Sequence, residues 1–310
     1  MKTRVLGATG PVVSRLAYGC WRLAGSEGGP RLEPSAGRRA VHAALDAGYT
    51  FLDLADIYGR GECERIVGEA LRERPGARDG VVVASKCGIR RAGDPAGAVG
   101  RYDFSAAHIQ RSVEGSLARL GIDALDVLLL HRPDYLMEPE EVAGAWAALL
   151  AAGKVRHFGV SNFRASQVEA LARACPMPLV THQVEASLMH LAPFEDGTLD
   201  QCLMRGMTPT AWSPLGRGVL GNGSLEGFDP AVAARAARLH GELDGLASGL
   251  GLDRAGTALA WVLRHPSRPV PVVGSVDPAR IASMARAAEV EMGRDDWYRL
   301  LVASRGERLP

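Results

Sequence analysis

The chain has 310 residues, 47% hydrophobic and 23% charged, with a net charge of +1. That is enough apolar material for a large core, and no net field to gather nucleic acid or an anionic membrane surface. Five cysteines, Cys20, Cys63, Cys87, Cys175 and Cys202, are odd in number and form no CxxC pair, which argues against a metal site and a disulfide framework and points to a reducing, cytoplasmic setting.

In chain order, two short apolar pieces around Gly7-Ala8-Thr9-Gly10 predict a β-hairpin at one end of the fold, followed by a first strand ending at Tyr18-Gly19-Cys20-Trp21. A loop rich in Gly and Pro runs to Pro34. Residues 38–47 then predict a helix with Val41, Ala44 and Leu45 on one face, closed by Gly48. Residues 50–55 read as a buried strand, 62–72 as a helix with Ile66, Val67 and Leu71 inward, and 81–86 as the next strand. Ser105 caps a helix carrying Ile109, Val113, Leu117 and Leu120, stopped by Gly121. Residues 127–130 form a strand, and Pro139 opens a helix with Val142, Trp146, Leu149 and Leu150, stopped by Gly153.

Residues 155–160, 179–184, 208–212 and 270–273 are strands five to eight, with helical segments between them. Residues 213–230, rich in Gly, are expected to be the longest connection after a strand and a functional loop. The last residues, 294–310, hold an amphipathic piece with Trp297, Leu300 and Leu301 that is expected to pack across the barrel. Unbroken strand-helix alternation without a linker predicts an α/β fold, a (β/α)8 TIM barrel with an N-terminal β-hairpin, as a single domain over residues 1–310. No run reaches membrane-spanning length and the N-terminus has no signal-like apolar stretch, so small molecules are the expected partners of a monomer or weak homo-oligomer.

Three consecutive strands end in charge. Asp53 closes the second with Tyr58 just beyond it, Lys86 closes the third, and His131 follows the fourth. Taken singly, such residues are ordinary turn formers or solvated ends. Repeated on three successive strands, they describe a site on the C-terminal face of a barrel.

These residues resemble the aldo-keto reductases, and the resemblance covers nearly the whole chain. It is carried by residues 48–59, GYTFLDLADIYG, with Glu69-Ala70-Leu71 following, and by residues 153–163, GKVRHFGVSNF. His131-Arg132-Pro133-Asp134 and Trp261-Val262-Leu263-Arg264 look like a bacterial branch acting on assorted aldehydes and ketones. The resemblance implies a barrel that binds NADPH without a Rossmann fold and reduces carbonyls with a catalytic Asp53, Tyr58, Lys86 and His131.

Tyr58 would be the general acid. Lys86, paired with Asp53, would lower the phenol from its ordinary value of about 10, and His131 would orient the carbonyl. By the family's pattern Ser161, Asn162 and Gln183 bond the carboxamide, Trp212 stacks on the nicotinamide, and Ser213, Pro214, Leu215, Gly216 and Arg217 cover the pyrophosphate. Gly274, Ser275 and Arg280 would meet the adenosine end, with Gly274 and Met284 standing where many members carry Lys and Asn; Arg280 favours NADPH over NADH. Trp21 would border both cofactor and substrate. Trp21, Tyr58, His131 and Tyr135, with Met137, would wall a small carbonyl bearing a hydrophobic substituent. The resemblance also admits a nicotinamide-binding regulatory subunit of channels with little turnover. A rival on the same barrel is an aldolase with Lys86 as Schiff-base nucleophile, which Asp53 opposes.

Overall fold

Successive residues of a strand point to opposite faces, and the alternation here separates two apolar layers. Phe51, Val82, Ala84, Val127 and Leu129 meet inside a barrel, while Leu52, Val83, Cys87, Leu128 and Leu130 face a layer of helices. By the same parity Asp53, Lys86 and His131 belong to the inward set.

The computed structural model of the protein describes residues 1–25, 30–223 and 225–310. The chain opens with the antiparallel hairpin β1 (Thr3–Val5) and β2 (Val12–Ser14), which delivers Leu6 and Val13 into the barrel core. Next come β3 (Ala17–Gly19), α1 (Pro34–Asp46), β4 (Phe51–Asp53), α2 (Glu62–Glu73), β5 (Val82–Cys87), the two-residue strands β6 (Ile89–Arg90) and β7 (Arg101–Tyr102), α3 (Ala106–Leu120) and β8 (Leu125–Leu130). The second half holds α4 (Pro139–Ala151), β9 (Val155–Ser161), α5 (Ala165–Ala174), β10 (Leu179–Glu185), α6 (Ala192–Glu195), α7 (Thr198–Arg205), β11 (Thr208–Trp212), α8 (Pro230–Leu250), α9 (Arg254–Leu263), β12 (Val270–Val273), α10 (Pro278–Ala285) and α11 (Arg294–Arg305). Eight parallel strands close in the order β3-β4-β5-β8-β9-β10-β11-β12, so the fold is the (β/α)8 barrel.

The expected caps are in place. The Ser105 hydroxyl accepts from the His108 N–H at 3.3 Å, Gly121 turns left-handed at φ 66°, and Pro139 stands in the first turn of α4. Helix α1 starts at Pro34 rather than at residue 38, because proline is pre-set for a helix's first turn. The first barrel strand ends at Gly19, and Trp21 lies in the 3-10 turn Cys20–Arg22.

The expectation for residues 213–230 is corrected. The connection from 88 to 105 is longer, and it folds back on itself through the β6–β7 hairpin, whose two-residue strands are too short to show a period. Residue 224 of the other connection, and residues 26–29 of the early Gly/Pro-rich loop, lie outside the described residues.

The amphipathic tail forms α11 and packs on α8 and α9, outside the barrel wall. Trp297 and Trp261 stack with centroids 5.0 Å apart, each indole N–H donating to the other residue's carbonyl at 3.1 and 3.0 Å. Deeper in the helical layer Trp146 stacks on Phe158 at 4.6 Å, and burying each such aromatic contributes on the order of 2–3 kcal/mol. No helix among the described residues is long and apolar enough to cross a membrane.

Candidate active site

The register of β4 and β5 sets Asp53 beside Ala84, so Lys86 reaches back from two residues further along. Its ammonium is wholly buried and meets the Asp53 Oδ2 at 2.9 Å, the Leu54 carbonyl at 2.7 Å and the Tyr58 hydroxyl at 3.1 Å. All three of its N–H donors are thereby matched.

Tyr58 is held by its own loop. Ala55 O accepts from the Tyr58 N–H at 3.0 Å, and the next three residues, Gly59, Arg60 and Gly61, are left-handed at φ 55°, 59° and 86°. A Cβ on Gly61 would lie 2.5 Å from the Arg119 side chain. Backbone held in this region is strained for a residue such as Arg60, and the strain fixes where Tyr58 points.

His131 follows β8, its N–H donating to the Cys87 carbonyl at 2.9 Å, and its ring meets the Tyr58 ring edge-on at 5.8 Å. The structure thus brings Asp53, Tyr58, Lys86 and His131 together at the C-terminal ends of adjacent strands.

Burial pulls the Lys86 ammonium down, but the charges of Asp53 and Tyr58 outweigh it and hold the group above its ordinary value. Burial drives His131 well below its ordinary value, and the nearby Lys86 and Arg132 push the same way, so the imidazole is neutral. Its Nδ1 is buried and has no hydrogen-bond partner among the described residues. For Tyr58 the expectation of a lowered phenol is corrected. Burial raises it, and Lys86 only partly offsets that cost. The sequence places the ammonium beside the phenol but carries no measure of how dry the site is.

The cofactor candidates fall around this centre. Gln183 lies at the end of β10, yet its Nε2 donates to the Asp53 Oδ1 at 2.7 Å, so it braces the acid that pairs with Lys86. The Asn162 amide is likewise engaged: Nδ2 donates to Ser161 Oγ at 2.8 Å and to the His131 carbonyl at 3.1 Å, and Oδ1 accepts from the Trp212 indole N–H at 2.9 Å. One face of Trp212 carries the Arg132 guanidinium at 5.6 Å, so a stacked ring would need the opposite face.

After Trp212, Ser213, Gly216, Arg217 and Gly218 are left-handed at φ 49°, 56°, 60° and 101°. Such runs can offer backbone N–H groups to an anion, but here the Gly216 and Gly218 N–H groups already donate to Ser213 O at 2.8 Å and Leu215 O at 3.0 Å. The exposed Arg217, beside Pro214 and Leu215, is the cation this segment offers a pyrophosphate. Gly274 and Ser275 follow β12, and Ser275 O accepts from the Tyr18 hydroxyl at 2.8 Å. Arg280 is exposed, its Nε 3.8 Å from the Asp277 carboxylate that caps α10. The site residues thus fit a nicotinamide dinucleotide, with part of the expected amide recognition already committed to internal bonds.

The substrate wall is only partly assembled. Trp21 is 47% exposed and Tyr135 is 91% exposed, while Met137 packs against the core. Tyr135 therefore closes nothing in this structure.

Sequence reasoning missed a second acidic cluster beside the first. Glu64 on α2 is wholly buried, accepting from the Ser85 hydroxyl at 2.7 Å and from the Arg119 Nε at 2.6 Å. Near it Asp56 is raised to about 7, by burial first and then by the charge of Glu64. A glutamate among the apolar residues of the helix's buried face, beside Cys63, Ile66, Val67 and Leu71, was the available signal.

Comparison with known proteins gives the class. Residues 15–302 match the model of the aldo/keto reductase family. A 6-dehydroglucose reductase of Novosphingobium aromaticivorans is 43% identical, covering 99% of this chain and 97% of that protein. Oxidoreductase YdhF of Escherichia coli is 40% identical over 97% of each. Among solved structures, a glycerol dehydrogenase from Gluconobacter oxydans superposes with a TM-score of 0.85 at 26% identity, covering 99% of this chain and 97% of that one. The chain belongs to the aldo/keto reductase family. It is an oxidoreductase of carbonyl compounds, in a family that uses nicotinamide cofactors.

Proposed function

We propose that the protein reduces aldehydes and ketones to alcohols with NADPH, with Tyr58 as the general acid. The observation that carries this reading is the buried Lys86 ammonium bridging the Asp53 carboxylate and the Tyr58 hydroxyl.

Bound in the groove, the cofactor supplies a hydride to the carbonyl carbon. The remaining work is proton and charge management by the chain's own residues. A phenol raised by burial keeps its proton at neutral pH, so Tyr58 is loaded as an acid. As the proton leaves for the carbonyl oxygen, the forming phenolate gains the full attraction of Lys86, an interaction largely absent in the ground state and so of the kind that accelerates. Asp53, braced by Gln183, keeps Lys86 charged throughout. A neutral His131 can donate one N–H to the carbonyl and fix its orientation. The protonated Lys86 is the wrong state for a Schiff-base nucleophile, which disfavours the aldolase reading.

For the cofactor, Ser161, Asn162, Gln183 and Trp212 would face the nicotinamide end, and Ser213, Pro214, Leu215, Gly216 and Arg217 the pyrophosphate. Gly274, Ser275 and Arg280 would take the adenosine end, with Arg280 able to pair with a 2′-phosphate. Trp21 and Tyr135 would close on the substrate. The similarity to a 6-dehydroglucose reductase adds sugar aldehydes to the candidate substrates, beside small aryl aldehydes and diketones.

The test is steady-state oxidation of NADPH and of NADH with that panel, on the natural chain and on Tyr58→Phe. Turnover should fall by about 10³-fold in the variant while cofactor affinity stays within about twofold, because the hydroxyl acts in the transition state. Full turnover in Tyr58→Phe would remove the residue from the mechanism. Tight NADPH binding with no oxidation by any member of the panel would favour a sensing role.

A further inference from the structure

The opposite end of the barrel holds a second cavity, of about 890 Å³, between the β1–β2 hairpin, the α9–β12 turn and the segment before α11. Lys2, Arg4, Arg15, Arg264 and Arg268 line it, and Glu291 is the only lining carboxylate among the described residues. No guanidinium of these four arginines lies within ion-pair distance of a carboxylate among the described residues, whereas Arg38, Arg119, Arg254 and Arg299 on the helical faces are paired. Their hydrogen bonds go to backbone carbonyls instead. Arg4 Nη1 donates to Arg268 O, Arg15 Nη1 to Ala288 O at 2.8 Å, and Arg264 Nε to Met292 O at 2.9 Å.

Arg4 Nε is buried and has no hydrogen-bond partner among the described residues. Burial first, and then the charges of Arg268 and Arg15, pull the Arg4 guanidinium down to about 10. Arg268 itself sits in a left-handed backbone at φ 52°, an uncommon conformation for a long side chain, and its guanidinium makes no ion pair among the described residues. Arg264 and Arg268 are exposed at its mouth, and guanidiniums gathered round one cavity with N–H groups still unused form a site that an anion would neutralise. The volume exceeds what a lone inorganic ion needs and lies in the range of small-molecule pockets. Leu263, Pro266, Pro269 and Met292 give the wall an apolar part, beside the polar Thr3 and His265.

We propose that this cavity binds a phosphorylated small molecule, with Arg4, Arg15 and Arg268 on the phosphate and its organic part against Leu263, Pro266 and Met292. The site is separate from the nicotinamide groove and stands whether or not the reductase reading does.

Calorimetric titration of the full chain with inorganic pyrophosphate and with glycerol 2-phosphate, at constant ionic strength, tests it. With the nicotinamide groove filled by saturating NADP⁺, one saturable site is expected. Arg268→Gln should raise Kd about tenfold, and Arg4→Gln at least as much. The Arg268 side chain has no ion pair to lose, so its variant should keep the natural unfolding midpoint and remain informative even if Arg4→Gln misfolds. Absence of saturable heat in the presence of saturating NADP⁺, or an unchanged Kd in Arg268→Gln under the same condition, would each overturn the site. Equal or tighter binding of a tricarboxylate such as tricarballylate would overturn the phosphate assignment.

Discussion

The end of β4 and the loop after it carry two acids three residues apart, Asp53 and Asp56, that meet opposite surroundings. Asp53 faces the barrel interior and is answered by the Lys86 ammonium on one oxygen and the Gln183 amide on the other. Asp56 lies towards α2 and α3. It shares that side with Glu64, and its Oδ1 is buried without a partner among the described residues. Nearness to the same strand end decides little; the partner does. A buried carboxylate paired directly with a cation becomes part of a fixed charge array, whereas Asp56, raised first by burial and then by Glu64 and only partly relieved by Ser112 and Arg119, holds its proton up to about pH 7.

Removing the cation is the most severe way to erase that difference. Lys86→Met leaves Asp53 buried and unanswered, and should cost about 3–5 kcal/mol in urea unfolding at pH 7 as well as abolishing turnover. A variant as stable as the natural chain would mean that Asp53 is solvated or neutral.

Asp56→Asn should act in the opposite direction. The folded protein keeps a proton on Asp56 between its ordinary 3.8 and about 7. Its stabilising contribution is therefore full below pH 3.8 and is lost as pH rises through about 7. The variant should be more stable than the natural chain by about 2 kcal/mol at pH 8, and by little at pH 5. Equal curves across pH 4–9 would refute the assignment.

The smallest effect concerns the bracing amide. Gln183→Met keeps the side-chain length and removes the bond to Asp53 Oδ1. Turnover should drop about tenfold, at a stability cost of about 1–2 kcal/mol. If instead KM for the cofactor rises with turnover unchanged, Gln183 serves the carboxamide and its bond to Asp53 is incidental.

The same two regions show what could be read without coordinates. Charges repeated at three successive strand ends, and the parity that turns them inward, are local features, so the convergence of Asp53, Tyr58, Lys86 and His131 was legible. So were the caps at Ser105, Gly121 and Pro139, where one residue satisfies the end of its own helix.

What stayed hidden depends on residues distant in sequence or on dryness. Gln183 meets Asp53 across 130 residues, and Trp212 meets Asn162 across 50. Neither bond leaves a trace in composition or spacing. The direction of Tyr58's shift depends on how much solvent the closed loop excludes, which the pairing with Lys86 does not encode. The β6–β7 hairpin was invisible because its strands are two residues long, too short for any alternation to register.

The reciprocal Trp261–Trp297 pair has an optical consequence. Two indoles tilted by only 6° with centroids 5.0 Å apart are close enough to share electronic excitation. Undocking of α11 would remove that coupling from the circular dichroism spectrum while the eight-stranded wall still stands, so the last helix carries its own built-in reporter.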